Sequence, residues 1–186
     1  MGRTASIQDD ELMTRLGTAF RDFGYQGATL SLLARATGLQ KASLYHRFPG
    51  GKEQMAREVL EAAQSWLEDQ VLGPLRSPGD PATRVAAMAK KVDEFYAGGR
   101  QACLLNMLSS GRTLDGPFAA AIKGMFQAWI SAFAAVAIDA GADKKAARIR
   151  AERVIALMQG SLVLSRGLGT PKPFRDFLKS APAELL

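Results

Sequence analysis

Between Gln40 and Arg47 the chain reads Gln-Lys-Ala-Ser-Leu-Tyr-His-Arg, and six of these eight side chains carry hydrogen-bonding or charged groups. So dense a set of donors and acceptors on one short segment suits simultaneous contact with base edges and phosphates. Lys41 and Arg47 are cations for phosphate, and Ser43, Tyr45 and His46 offer donors. Gln40 can bind adenine N6 and N7 in a bidentate way. Catalytic chemistry has less to work with. His46 is the one histidine and Cys103 the one cysteine, and no HExxH, GxSxG or P-loop spacing occurs. One cysteine with one histidine completes neither a four-ligand zinc site nor an internal disulfide, so no metal and no cofactor are expected. Acidic pairs such as Asp9 and Asp10 fall at a helix start, where the helix dipole explains them. An all-α enzyme is the competing reading, but it lacks an acid/base pair in a cleft, and the chain is not expected to be an enzyme.

Two short helices must hold the polar segment. Residues 29–48 read TLSLLARATGLQKASLYHRF. Thr29 is an N-cap candidate, Gly38 ends the first helix, and a second covers about 41–47. Leu32, Leu33, Ala36, Leu39 and Leu44 are expected to pack the pair together, with Ala34 small enough for close approach. Two such helices joined through a glycine turn make a helix-turn-helix, whose second helix enters a major groove. Upstream, Leu12, Leu16, Ala19, Phe20 and Phe23 predict an amphipathic helix over about 8–23, stopped by Gly24. Downstream, Met55, Val59, Ala63, Trp66 and Leu67 mark a long helix over about 52–72. Gly73-Pro74 and residues 77–81 then form the clearest linker.

Helical periodicity continues to the C-terminus. Val85, Met88, Val92 and Phe95 mark one helix, and a short one covers about 102–110. Ile122, Phe126, Trp129, Phe133 and Val136 mark a long one. Asp143 caps another that reaches Gly167, and Pro171 opens the last. No strand-like alternation and no internal repeat is seen, so the fold class is all-α. Hydrophobic residues are 47% and charged residues 23%, enough apolar content for a core. The 24 lysines and arginines exceed the 18 acidic residues for a net +6, which favours a polyanionic partner only modestly. Gly2 and Ser6 fit a loose myristoylation pattern, which is short and occurs often by chance. No run of ~18 apolar residues exists, so no transmembrane helix is expected and the location is read as cytoplasmic.

The stretch from Phe20 to Lys52 resembles the N-terminal domain of the TetR family of repressors. The matching pieces are Phe23-Gly24-Tyr25, Thr29 with Leu33-Ala34, Gly38-Leu39, Leu44-Tyr45-His46-Arg47-Phe48, and Lys52. Gly50-Gly51 before Lys52, and Cys103-Leu104-Leu105-Asn106, are similar to a subgroup with a longer turn there. The resemblance implies a three-helix DNA-binding head at 1–52 and a ligand-binding and dimerising helical domain at 53–186. It also implies a homodimer on a pseudo-palindromic operator, released by a small-molecule effector. In that setting Thr29, Gln40, Lys41, Ser43, Tyr45, His46, Arg47 and Lys52 are the DNA-binding candidates, with Tyr45 on phosphate and Lys52 on a phosphate at its helix start. Arg3 is a lesser candidate in a short tail.

Gln40 departs from the commonest family pattern, which has serine or threonine there. Either the helix cap is weaker in this chain or Gln40 reads a base. Trp66, Met88, Phe95, Met107, Phe126, Trp129 and Met158 are pocket candidates, although such a stripe at helical spacing also suits plain core. Leu157, Ser161, Leu164, Phe174 and Phe177 are dimer-interface candidates. Cys103 is read as inert rather than redox-active. A second domain that docks proteins, with no small ligand, is the other reading.

Overall fold

A computed structural model describes residues 7–109 and 116–186 of the chain. Arg3, Gly2, Ser6 and the end of the expected 102–110 helix lie outside the described residues. The described residues are helical, without strands.

The N-terminal elements are α1 (Asp9–Gly27), α2 (Leu30–Thr37), α3 (Lys41–Arg47) and α4 (Gly51–Leu67). Asp9, Asp10 and Glu11 occupy the first turn of α1, where carboxylates favour the positive end of the helix dipole. The buried line of α1 runs Leu12, Leu16, Phe20, Gly24, a strict four-residue step. Phe23 lies off that line and is 48% exposed, so the expectation that it packs in the core is corrected. Gly24, at φ 66° and ψ 173°, is non-helical and ends the first helical run where the sequence reading put its stop, and a further short turn runs on to Gly27.

The long central helix differs from its expected span. α4 gives way to a π-helical turn over Glu68–Leu72, followed by α5 (Gly73–Arg76). Gly73-Pro74 is thus helical, not linker. Pro74 sits in the first turn of α5, where its missing N–H is no loss. The connecting loop is shorter than expected, and Asp80 closes it by accepting a 2.8 Å hydrogen bond from the Thr83 N–H at the start of α6 (Pro81–Phe95). A hydrogen bond from the Thr83 hydroxyl, and then that backbone bond, lower the Asp80 carboxyl from its ordinary pKa. Next come α7 (Leu104–Leu108), α8 (Ala119–Asp139), α9 (Lys144–Gly167) and α10 (Lys172–Leu185). Asp143 caps α9 as expected, accepting from the N–H groups of Lys145 and Ala146.

By composition and length α8 would also span a bilayer, which the sequence did not lead one to expect. Its buried residues, including Ile122, Met125, Trp129, Phe133 and Val136, form one face, and Lys123, Gln127 and Ser131 lie exposed on another. That is the pattern of a helix packed into a protein core.

The residues group into two compact units, Met1–Ala63 with Leu104–Ala120 and Gln64–Cys103 with Ala121–Leu186. The division expected from the resemblance was at 52. The contacts group α4 as far as Ala63, and also α7, with the head. In the first unit α1 packs on α2 and α7, and α2 on α3, around the buried Leu16, Phe20, Leu33, Leu44, Phe48 and Met55. In the second unit α10 packs on α9 and α6. Fully burying each of its large apolar side chains contributes roughly 1.5–3 kcal/mol.

Gly99, in the turn that follows α6, packs closely against α10. Its φ is 86°, and a Cβ there would lie 2.7 Å from the Phe174 Cβ. Phe174 is itself fully buried, edge-on to Tyr96 at 5.7 Å. Gly99→Ala is expected to destabilise the protein by about 1–3 kcal/mol through overpacking and backbone strain, read as a lower Tm in a circular-dichroism melt. An unchanged Tm would show that Phe174 yields freely.

Candidate nucleic-acid interface

The turn between α2 and α3 is fastened from several sides. The Thr29 hydroxyl accepts from the Leu32 N–H at 3.3 Å and so caps α2 as expected. At its other end the Thr37 hydroxyl donates to the Leu33 carbonyl at 2.9 Å, and Arg15 of α1 donates to the Thr37 carbonyl at 3.1 Å. Gly38 takes the left-handed conformation, φ 74° and ψ 9°, which turns the chain toward α3 at no steric cost. Leu33 and Leu44 are fully buried and Leu32 and Leu39 half-buried. Ala36, expected between the helices, is exposed. It lies three residues beyond Leu33, and Thr37 takes the four-residue position into the core instead.

Gln40 holds the N-cap position of α3 in extended geometry, and its side chain makes no capping hydrogen bond. The cap is therefore weak in this chain, and the side chain is exposed. Leu44 points inward, which turns Gln40, Lys41, Tyr45 and His46 to solvent, with Ser43 half-buried. Tyr45 is 54% exposed. Its ring edge lies beside Gly51 at the start of α4, where an added Cβ would approach within 3.7 Å. The seven-residue helix and its cap residue thus present an amide, an ammonium, a phenol and an imidazole together.

Two candidates are engaged elsewhere. The Lys52 ammonium donates to the Tyr25 carbonyl at 2.8 Å and lies 4.5 Å above the Tyr25 ring. That ring meets Phe118 edge-on at 5.0 Å. Partial burial, and then the nearby Glu53 carboxylate, raise the Tyr25 phenol above its ordinary pKa. Lys52 therefore braces the start of α4 with one of its three donors. Arg47 is exposed but paired within the chain. Its guanidinium pairs with Glu58 at 3.3 Å and Asp9 at 3.7 Å, and its carbon lies 4.8 Å from the centre of the Phe48 ring. Glu58 and Gln54 were missed in the sequence. Their four-residue spacing on α4 was visible there, but not the side of the helix that meets α3.

The pocket and dimer candidates of the second unit separate in the same way. Met88, Trp129 and Met158 are buried, and Trp66 stacks on Phe95 at 4.9 Å. Phe126 is half-buried, and Met107 belongs to the first unit. Trp129 lines a crevice of about 20 Å³ with Leu67, Glu68, Leu72 and Met125, and its indole N–H is buried without a hydrogen-bond partner. Among the dimer candidates Ser161, Phe174 and Phe177 are buried within the chain, where α9 packs on α10. Leu157 and Leu164 are 40% and 56% exposed. Cys103 is buried, accepting from the Tyr96 hydroxyl at 3.6 Å.

The comparisons with known proteins point the same way. A family model described as bacterial regulatory proteins, tetR family, matches residues 18–59. Another, described as transcriptional regulator LmrA/YxaF-like, C-terminal domain, matches residues 81–180, more than half of the chain. The HTH-type transcriptional regulator LmrA of Bacillus subtilis (strain 168) is 23% identical over 159 residues, 84% of this chain and 85% of its own. The HTH-type transcriptional repressor KstR2 of Mycolicibacterium smegmatis is 39% identical over 72 residues, 37% of this chain and 35% of its own. In fold, the chain is similar to a TetR transcriptional regulator from Legionella pneumophila, with TM-score 0.83, 18% identity and coverage of 99% and 100%. It is also similar to the TetR family regulator CifR, solved as a cysteine mutant with a 26bp operator duplex, with TM-score 0.73, 18% identity and coverage of 97% and 98%. The chain belongs to the TetR family of DNA-binding transcriptional regulators.

Proposed function

We propose that the protein is a cytoplasmic homodimeric repressor that binds a pseudo-palindromic operator through α3 and leaves it when a small molecule binds the second unit. The observation that carries this reading is the exposed polar face of α3, with Gln40, Lys41, Tyr45 and His46 outward on a helix anchored by Leu44. Lys41 and Tyr45 contact phosphates, Gln40 reads a base, and Ser43 and His46 add contacts to base or backbone. Thr29 opens α2, whose N-terminal N–H groups face phosphate. Lys52 keeps the Tyr25 carbonyl and offers its remaining donors to a phosphate.

A single half-site bound by one short helix gives weak affinity, which twofold pairing corrects. Ile149, Leu157 and Leu164 of α9 and its C-cap residue Leu168 lie exposed at successive spacings of eight, seven and four residues, an apolar stripe on one side of the helix. This stripe, which includes the candidates Leu157 and Leu164, is the face that pairs with a second copy.

The effector reading rests on Trp129. A buried N–H without an acceptor costs about 1–3 kcal/mol, which an acceptor-bearing ligand would remove. The crevice beside it holds only about one water, so binding requires it to open. The π-helical turn that supplies Glu68 and Leu72 is the element placed to give way. The ligand would favour a conformer whose two α3 helices no longer match successive major grooves.

Three tests follow from these assignments. On a duplex selected from a random library by the wild-type protein, Lys41→Ala and Tyr45→Phe should each weaken binding about tenfold. Each should also lower the slope of log affinity on log salt by about 0.9 per phosphate lost. Unchanged affinity refutes the assignment. Leu157→Asp with Leu164→Asp should yield monomers by analytical ultracentrifugation that keep half-site affinity and lose the two-site gain; persistent dimers place the interface elsewhere. A compound found by thermal shift to release DNA should lose potency about tenfold against Trp129→Phe. Equal potency removes Trp129 from the effector site, and a screen without any releasing compound favours a protein-docking second unit.

A further inference from the structure

We infer that Arg47 is a positioning residue that sets the angle of α3 and does not touch DNA. A seven-residue helix with an uncapped start has little to hold its direction, since isolated helices this short are unstable. Leu44 anchors its middle. Its C-terminal end is held by a chain of polar contacts running from the following turn into α4 and back. The Gly50 N–H donates to Gln54 Oε1 at 2.8 Å, and Gln54 Nε2 donates to Glu58 Oε1 at 2.8 Å. Glu58 Oε2 pairs with Arg47 Nη2 at 3.3 Å, and Arg47 Nε faces Asp9 Oδ1 of α1 at 3.7 Å. The guanidinium plane lies over Phe48, which is fully buried.

Each link is partly exposed and small by itself. Joined, the links tie the last residue of α3 to α1 and α4 together, and they close on the turn that redirects the chain. The two carboxylates also decide against a phosphate role. A phosphate reaching Arg47 would have to displace Glu58 and Asp9 and would meet their charges unpaired. Discrimination between base pairs depends on helix placement within fractions of an ångström, so the effect of the clamp falls on specificity. Non-specific affinity, carried by phosphate contacts, is largely indifferent to it.

This inference rests on α3 being the groove-facing helix, and its test keeps the two apart. Binding of wild type, Arg47→Ala, Glu58→Gln and the double variant is measured by fluorescence anisotropy on a duplex selected from a random library and on a shuffled duplex, over a range of salt. Each single variant is expected to lose about five- to tenfold on the selected duplex, with the double variant no worse than either single. Affinity for the shuffled duplex, the salt slope and the melting temperature should stay near wild type, and Arg47→Lys should recover part of the loss. A lower salt slope in Arg47→Ala, with Glu58→Gln neutral or tighter-binding, would make Arg47 a phosphate ligand and overturn the inference. Equal losses on both duplexes with a fallen melting temperature would make the network merely structural and overturn it as well. Failure of the wild type to select any duplex would instead contradict the reading of α3 itself.

Discussion

A helix of seven residues cannot maintain itself in water, yet α3 must hold its direction well enough to tell one base pair from another. Everything in the first unit bears on that constraint. Leu33, Leu44 and Phe48 are fully buried and seat α2 and α3 on the core formed with Phe20 and Met55. Thr37 and Arg15 fasten the turn before α3, and the Gln54–Glu58–Arg47 chain fastens the turn after it. With both ends held by neighbours, the helix can spend its exposed side chains on a ligand instead of on its own stability. This also explains how a poor capping residue is tolerated at Gln40.

Much of this was readable in the order of residues. The apolar spacing that placed Leu12, Leu16 and Phe20 inward, the cap at Thr29, the turn at Gly38 and the outward polar set of α3 all follow from local rules, and the structure agrees. Local rules failed where a side chain had a choice between solvent and a distant partner. Arg47 and Lys52 are both basic and near the reading helix, and a linear reading does not show what they touch within the chain. Their actual partners, Glu58, Asp9 and the carbonyl of Tyr25, are brought near by tertiary packing that periodicity does not encode. The same limit applies to Phe174 and Phe177, apolar residues whose sequence suits a core or an interface equally and which are buried within the chain. Pro74 misled in the opposite direction, since proline marks a loop or the first turn of a helix with equal ease.

The two units are tuned to different tasks. The first presents polar groups on a braced scaffold. The second holds tightly packed places, such as Gly99 against Phe174, alongside an irregular one, where a π-helical turn borders a crevice with an unsatisfied indole N–H. Irregular helix geometry next to an unpaired polar group is where a ligand has most to gain, because it can complete a hydrogen bond that the protein lacks. A family likeness that spans the matched C-terminal region agrees with a regulatory second unit but leaves its ligand to this chain's own chemistry.

The central claim is that the exposed face of α3 enters a major groove, once per protomer of a pair. Hydroxyl-radical footprinting of the wild-type protein on its selected duplex tests it most directly. Two protected patches related by a dyad, with the half-site centres separated by one helical turn of about 10–10.5 base pairs or a multiple of it, are the expected result. A single patch, or uniform protection along the duplex, would contradict it.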